Sequence, residues 1–167
     1  MIECIRVDNR LIHGQVAVKW SRMLPIDRII VANDKAANDK ISKEALMMAA
    51  PASCKTIILT VERALTLLED PKAKEHGILL IVGNINDLAR VTEELSEKVK
   101  SIVLGNYGLL EATDQKERKK ITSYFAYSED EGEKLHEVAE YAKNQKCPFV
   151  IQALPDASAT DAIKIFG

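Results

Sequence analysis

Cysteine is scarce and unpaired in this chain: Cys4, Cys54 and Cys147 are an odd number, lie far apart, and form no CxxC motif. Each sits near the start of an apolar run, which predicts reduced, partly buried thiols and argues against a disulfide framework or a thiolate metal centre. Basic blocks are missing too, and a formal net charge of -2 with a pI near 6.0 offers no cationic field to a nucleic acid. No apolar run approaches the roughly 18 residues of a membrane span, and MIECIRVDNR lacks the basic and apolar regions of a signal peptide, so a cytoplasmic protein is expected. GxGxxG and GxxxxGK[ST] are absent, and GNYG at Gly105 is too short to cradle a pyrophosphate. The missing GxSxG and the lack of any spaced His/Cys/Glu cluster exclude the serine-hydrolase and zinc chemistries and leave no metal site to expect. Thr60 stands after the third apolar run, where a response-regulator receiver carries its phosphorylatable Asp.

What the chain does have is 47% hydrophobic residues in 167, enough for one core, with no repeat, low-complexity tract or linker; residues 1–167 are therefore expected to form a single domain. Short β-branched runs recur as IECIRV from Ile2, RIIVA from Arg28, KTIIL from Lys55, ILLIV from Ile78, SIVLG from Ser101 and FVIQA from Phe149. Between them lie amphipathic stretches marked by Ile12, Val16, Trp20 and Met23, then Ile41, Ala45 and Met48, then Ala64, Leu65 and Leu68, then Leu88, Val91 and Leu95, then Leu135, Val138 and Ala142. Helix starts are expected at Asn38 or Asp39, Thr60, Asn86, and Ser128 with Glu131 as a capping box, and Pro51 stops the second helix. Trp20, Met47 and Met48 read as core, His76 and His136 as surface. Strands buried on both faces and alternating with helices predict an α/β fold: a doubly wound, mainly parallel sheet with helices on both faces. ITSYFAYS from Ile121 is a weaker strand candidate for an edge, and residues 106–120 read as the longest irregular stretch, a candidate partner or substrate surface.

Ligands of open parallel sheets bind beyond the carboxyl ends of the strands. Asp8, Asn9 and Arg10 follow the first run, Asn33 and Asp34 the second, Asn84 the fourth and Asn106 the fifth, and His13 falls on the same edge. For Asn33, Asp34, Asn84 and Asn106, turn formation and helix capping explain the residue type as well as ligand contact does. His13 precedes an amphipathic helix, close to free N–H groups and the positive end of the helix dipole, a setting that attracts phosphate and disfavours imidazolium. A neutral ring keeps a lone pair able to attack phosphorus. Arg10 suits bidentate contact with a phosphoryl group, Asp8 suits orienting His13 or holding Arg10, Gly14 permits unusual backbone angles, and Gln15 offers a neutral hydrogen-bonding group. Against this stands the plain alternative of a helix-entry histidine behind a solvated turn.

The string VDNRLIHGQV, Trp20 after it, IIVANDKAANDK from Ile29 and the helix ending MMAAP together resemble the IIB components of the mannose/fructose/sorbose family of sugar phosphotransferase systems. The resemblance is strongest from Ile5 to Pro51. It implies the same doubly wound sheet, and an active loop of Asp8, Asn9, Arg10, Gly14 and Gln15 around His13. It further implies that His13 accepts phosphate at Nδ1 from the phosphohistidine of a IIA component and passes it to a sugar moving through membrane IIC and IID components. No cofactor is implied, and the protein would associate peripherally with that transporter. Two departures stand out: LGNYGLL from Leu104 is a degenerate form of the family's N-x-G-x-M stretch, and Asn9 occupies a position where many relatives carry an acid. A regulatory module with this fold and no sugar transfer is the rival reading; sugar identity and oligomeric state, a homodimer included, stay open.

Overall fold

The computed structural model of the chain describes residues 1–109 and 117–167. In chain order it contains β1 (Ile2–Val7), α1 (Gly14–Met23), β2 (Arg28–Ala32), α2 (Asp34–Asn38), α3 (Lys40–Ala49), β3 (Lys55–Leu59), α4 (Val61–Leu68), a 3-10 turn (Pro71–Glu75), β4 (Ile78–Val82) and α5 (Ile85–Glu94). There follow β5 (Ile102–Leu104), β6 (Arg118–Lys120), β7 (Ala126–Ser128), α6 (Glu129–Gln145), β8 (Phe149–Ile151), β9 (Thr160–Asp161) and α7 (Ala162–Phe166). The main sheet has seven strands in the order β3-β2-β4-β1-β5-β8-β9, all parallel except β9.

This order dictates the layering. The steps β1 to β2 and β2 to β3 move toward one edge of the sheet, whereas β3 to β4, β4 to β5 and β5 to β8 move toward the other. Crossovers share one handedness, so the two groups of helices must cover opposite faces. The core divides accordingly: Ala17, Trp20 and Ala36 pack on Cys4, Ile29, Val31 and Ile58, while Leu65, Leu88 and Leu135 pack on Ile5, Val7, Ile30 and Leu80. Adjacent residues of one strand serve different cores, as period-two alternation requires. The doubly wound, mainly parallel architecture read from the apolar runs is the one observed.

Several local expectations hold. Thr60 caps α4 by accepting from Arg63 N–H, Ser128 and Glu131 form the capping box of α6, and α3 ends at Ala49 just before Pro51. All three cysteines are free and buried. Others need correction. Met47 and Met48 are exposed, Met48 at 88%, and so is Ile41 at 78%: α3 starts after Asp39, as expected, but turns this stripe to solvent. Leu46 and Ala49 face the core instead. The fifth helix starts at an Asn84 cap rather than at Asn86, since Asn84 Oδ1 accepts from Asp87 N–H at 2.8 Å. The segment from Ile121 does not join the main sheet: β7 pairs antiparallel with β6 in a separate two-stranded sheet, and β6 lies inside the stretch expected to be irregular. Residues 110–116 of that stretch lie outside the described residues. His136 is exposed, as expected, but His76 is half-buried against Asp27.

Candidate phosphoryl-acceptor site

β1 lies between β4 and β5, whose following helices cover one face, while its own helix α1 covers the other. The carboxyl end of β1 is therefore a topological switch point, where departing connections leave a crevice. Residues 8–13 cross it. Asp8 N–H donates to Val82 O at 3.0 Å and Asn9 N–H to Asn106 O at 2.9 Å, so the loop is pinned to the ends of both neighbouring strands. A tight turn follows, with Leu11 N–H donating to Asp8 O at 3.0 Å and Leu11 itself at φ 59. A left-handed leucine costs about 1–3 kcal/mol and persists only where its surroundings fix it. Gly14 then takes φ 46, the freedom expected of it, and opens α1.

His13 is the N-cap residue of α1, with no side-chain capping bond and no acid in the first helical turn. The N–H groups of that turn consequently face the loop without a protein anion of their own helix. The ring of His13 places Nε2 3.1 Å from Asp8 Oδ2, and its side chain is 17% exposed against 0% for Asp8. Every other group on the Asp8 carboxyl is a donor: Arg6 Nη2 at 3.1 Å and Asn106 Nδ2 at 3.3 Å on Oδ2, and Arg10 N–H at 3.1 Å on Oδ1. Such a carboxylate accepts from His13 as well, which puts the proton on Nε2 and the lone pair on Nδ1.

Arg6 is the residue that sequence reasoning missed. Its guanidinium is buried at 2% exposure, donates to Gln152 O and Ala153 O at 3.0 Å each, and lies 5.1 Å over the Trp20 ring. Burial pushes its pKa below the ordinary arginine value and the neighbouring Asp8 charge pushes back; it stays charged. Gly105 makes room for it, because a Cβ there would fall 2.5 Å from Arg6 Cζ. The one local signal was its spacing: residues 6 and 8 of one extended segment share a face. Asp8 thus holds Arg6, His13 and the backbone of Arg10, not the Arg10 side chain.

The Arg10 guanidinium is exposed and makes no hydrogen bond or ion pair among the described residues, and Gln15 is likewise exposed. Asn9 is half-buried. Asn106 reaches the site, and the segment that carries it is braced by Tyr107 N–H on Tyr124 O and by a Tyr107 hydroxyl contact to Glu131. Asn33, Asp34 and Asn84 are engaged elsewhere: Asn33 caps α2 through Ala36 N–H at 2.9 Å, Asp34 accepts from Val61 N–H at 2.9 Å, and Asn84 caps α5. Among the described residues there is no group of three or more metal-ligand side chains, and no helix long and apolar enough to cross a membrane.

Comparison with known proteins identifies the family and the fold. A probable phosphotransferase enzyme IIB component of Streptococcus pyogenes serotype M6 is 37% identical over 122 residues, covering 73% of this chain and 74% of that protein. The mannose-specific EIIAB component of the phosphotransferase system of Escherichia coli K12 is 30% identical over 115 residues, 69% of this chain but 35% of that longer protein. The crystal structure of manxB from Thermoanaerobacter tengcongensis superposes with a TM-score of 0.82 at 26% identity, covering 99% of this chain and 94% of that one. The model of the sorbose subfamily IIB component of the phosphotransferase system matches residues 2–167, and the chain belongs to that family.

Proposed function

We propose that His13 is the phosphoryl carrier of this IIB component: it takes the group from the phosphohistidine of a IIA component and yields it to a sugar at the membrane IIC and IID components. The observation that carries the reading is the contact between His13 Nε2 and the buried Asp8 carboxylate at 3.1 Å, because it leaves Nδ1 as the nucleophile. The Nδ1 lone pair forms the new N–P bond while the donor's N–P bond breaks, its electron pair returning to the donor ring. His13 gains positive charge as this happens, and the Nε2–H bond to Asp8 answers it with a charge-assisted contact. The exposed Arg10 guanidinium and the first-turn N–H groups of α1 meet the transferring oxygens, whose charge is spread over three atoms. Asn9, Gly14 and Gln15 shape the loop, and Asn106 steadies Asp8. In the second transfer a sugar hydroxyl attacks phosphorus, the N–P electrons return to Nδ1, and the proton that the hydroxyl loses passes to water.

A relay must meet donor and acceptor in turn over one histidine, which favours small, short-lived interfaces. The mannose-specific relative that carries IIA and IIB in one EIIAB chain supports the pairing with a IIA donor. Residues 1–167 act in this reading as one IIB domain, in the cytoplasm and at the periphery of the transporter. The test is labelling of the purified protein with phosphoenolpyruvate, the general phosphotransferase enzymes and a cognate IIA, followed by membranes and candidate hexoses. Acid-labile label that chases to a sugar phosphate, and no such label on His13→Ala, is the expected result. Normal labelling of His13→Ala removes the assignment; label that never leaves the wild-type protein makes it a regulator.

A further inference from the structure

At the opposite end of the strands from His13, a cavity of about 320 Å³ opens against the sheet face covered by α4. Helix α4 ends at Leu68 and the chain leaves through the 3-10 turn Pro71–Glu75, so the corner of the sheet at its β3 edge stays uncovered. Parallel register sets the chemistry of this corner. Lys55 of β3 is paired with Arg28 of β2, and two residues further Ile57 is paired with Ile30. Residues i and i+2 share a face, so a row of two cations is followed, about 6–7 Å along the strands, by an apolar row. Ile78 and Leu67 extend the apolar wall and Lys72 the cationic rim.

We propose that this cavity binds a small amphiphilic anion, an aliphatic chain or ring of about ten non-hydrogen atoms that bears one carboxylate. Its volume stands at the lower end of the roughly 300–1,000 Å³ of ligand sites, which sets that size. The apolar part is accounted for by Ile57 and Leu67, large hydrophobic residues left 41% and 36% exposed on either side of the groove. The charge is accounted for by the rim. Like charges directly opposite each other on a sheet are unfavourable, and Lys55 beside Arg28 is such a pair. Arg28 is answered in part by Asp27 at 2.9 Å, which also takes His76 Nδ1 at 2.8 Å. The ammonium groups of Lys55 and Lys72 have no partner among the described residues; the one acid of the lining, Asp70, accepts from the Lys72 backbone N–H through Oδ1 and leaves the lining with more cations than anions. A carboxylate seated between the lysines relieves the repulsion while its chain covers Ile57 and Leu67.

The probe is octanoate, titrated into the whole chain and followed by amide NMR shifts, with octanol and inorganic phosphate as controls. Octanoate is expected to saturate with a Kd on the order of 1 mM or tighter, moving the amides of Ile30, Ile57, Leu67 and Ala73. Octanol should bind about tenfold more weakly, and phosphate should not move those amides. The Lys55→Ala/Lys72→Ala protein, altered only at exposed side chains, should have a thermal midpoint no lower than the wild type's and lose about three- to tenfold in octanoate affinity with octanol unchanged. No saturation by about 10 mM octanoate, equal binding of octanol, phosphate shifts at the same amides, or an unaltered octanoate affinity in the double variant would each overturn the proposal.

Discussion

Replacing Asp8 by Asn changes one oxygen to an amino group at a fully buried position. Four donors converge on that carboxylate: Arg6 Nη2, His13 Nε2 and Asn106 Nδ2 on Oδ2, and Arg10 N–H on Oδ1. An amide has a single acceptor oxygen. With that oxygen in place of Oδ2, the new NH2 opposes Arg10 N–H and the ring contact becomes a neutral hydrogen bond. With it in place of Oδ1, the NH2 opposes Arg6, and His13 can keep its contact only by accepting at Nε2, which moves the ring proton to Nδ1 and removes the lone pair there. In either placement Arg6 loses the one carboxylate it contacts among the described residues, and breaking a buried ion pair costs about 3–5 kcal/mol. A chain of this size loses about 2–4 °C of midpoint per kcal/mol, so the thermal midpoint should fall by about 6–20 °C while the protein still folds at 25 °C.

The kinetic loss follows from the same accounting. Weakening a charge-assisted contact to a neutral one costs about tenfold in rate if roughly 1.4 kcal/mol is lost from the transition state. A wrong tautomer costs on the order of 10⁴ in Ser-His-Asp sites. Labelling of Asp8→Asn from phosphorylated IIA should therefore slow by about 10- to 10⁴-fold at 25 °C, where the variant is folded. Imidazole ¹⁵N correlations should show the proton on Nε2 in the wild type. A folded Asp8→Asn protein that labels within about twofold of the wild type, or a wild-type ring protonated at Nδ1, refutes the argument that Asp8 sets the nucleophile.

Gly105→Ala should act at a distance from the histidine: its Cβ displaces the Arg6 guanidinium, so a midpoint drop equivalent to about 1–3 kcal/mol and slower labelling are expected together, and a wild-type midpoint would contradict the packing. Trp20→Ala, at 4% exposure beneath Arg6, should lose about 3–5 kcal/mol in a urea melt, whereas Met48→Glu at 88% exposure should stay within about 0.5 kcal/mol of the wild type. Burial pushes the Cys4 thiol up to about 11 and also raises Cys147, and all three thiols are shielded from solvent, so native protein at pH 8 should react slowly at each of them and unfolded protein rapidly; rapid reaction of the native chain would show that these sites open.

The strands were legible because burial on both faces leaves continuous β-branched runs, and ILLIV from Ile78, buried along its whole length, is the plainest case. Capping chemistry was legible at Ser128 and Thr60 for an equally local reason. The phase of α3 was not: its start after Asp39 was expected, but an apolar stripe of Ile41, Ala45 and Met48 looks the same whether it meets a sheet or water. Capping also blurred the polar edge: Asn33 and Asn84 sit in line with Asn106, yet only Asn106 turns inward to Asp8.

Arg6 shows where such reading fails in principle. Its carbonyl partners are 146 and 147 positions away, so no window of neighbouring residues contains the reason that a cation can be buried there. The sheet supplies the reason, since β8 lies next to β5, which lies next to β1. The loop after β8 thereby brings two carbonyls to a guanidinium that would otherwise be too costly to desolvate. The consequence reaches the chemistry: the motif around His13 is local, but the carboxylate that orients the ring is held by an arginine whose burial depends on the carboxy-terminal quarter of the chain. Changes near Gln152 and Ala153 that move those carbonyls should therefore weaken labelling of His13 without touching its loop.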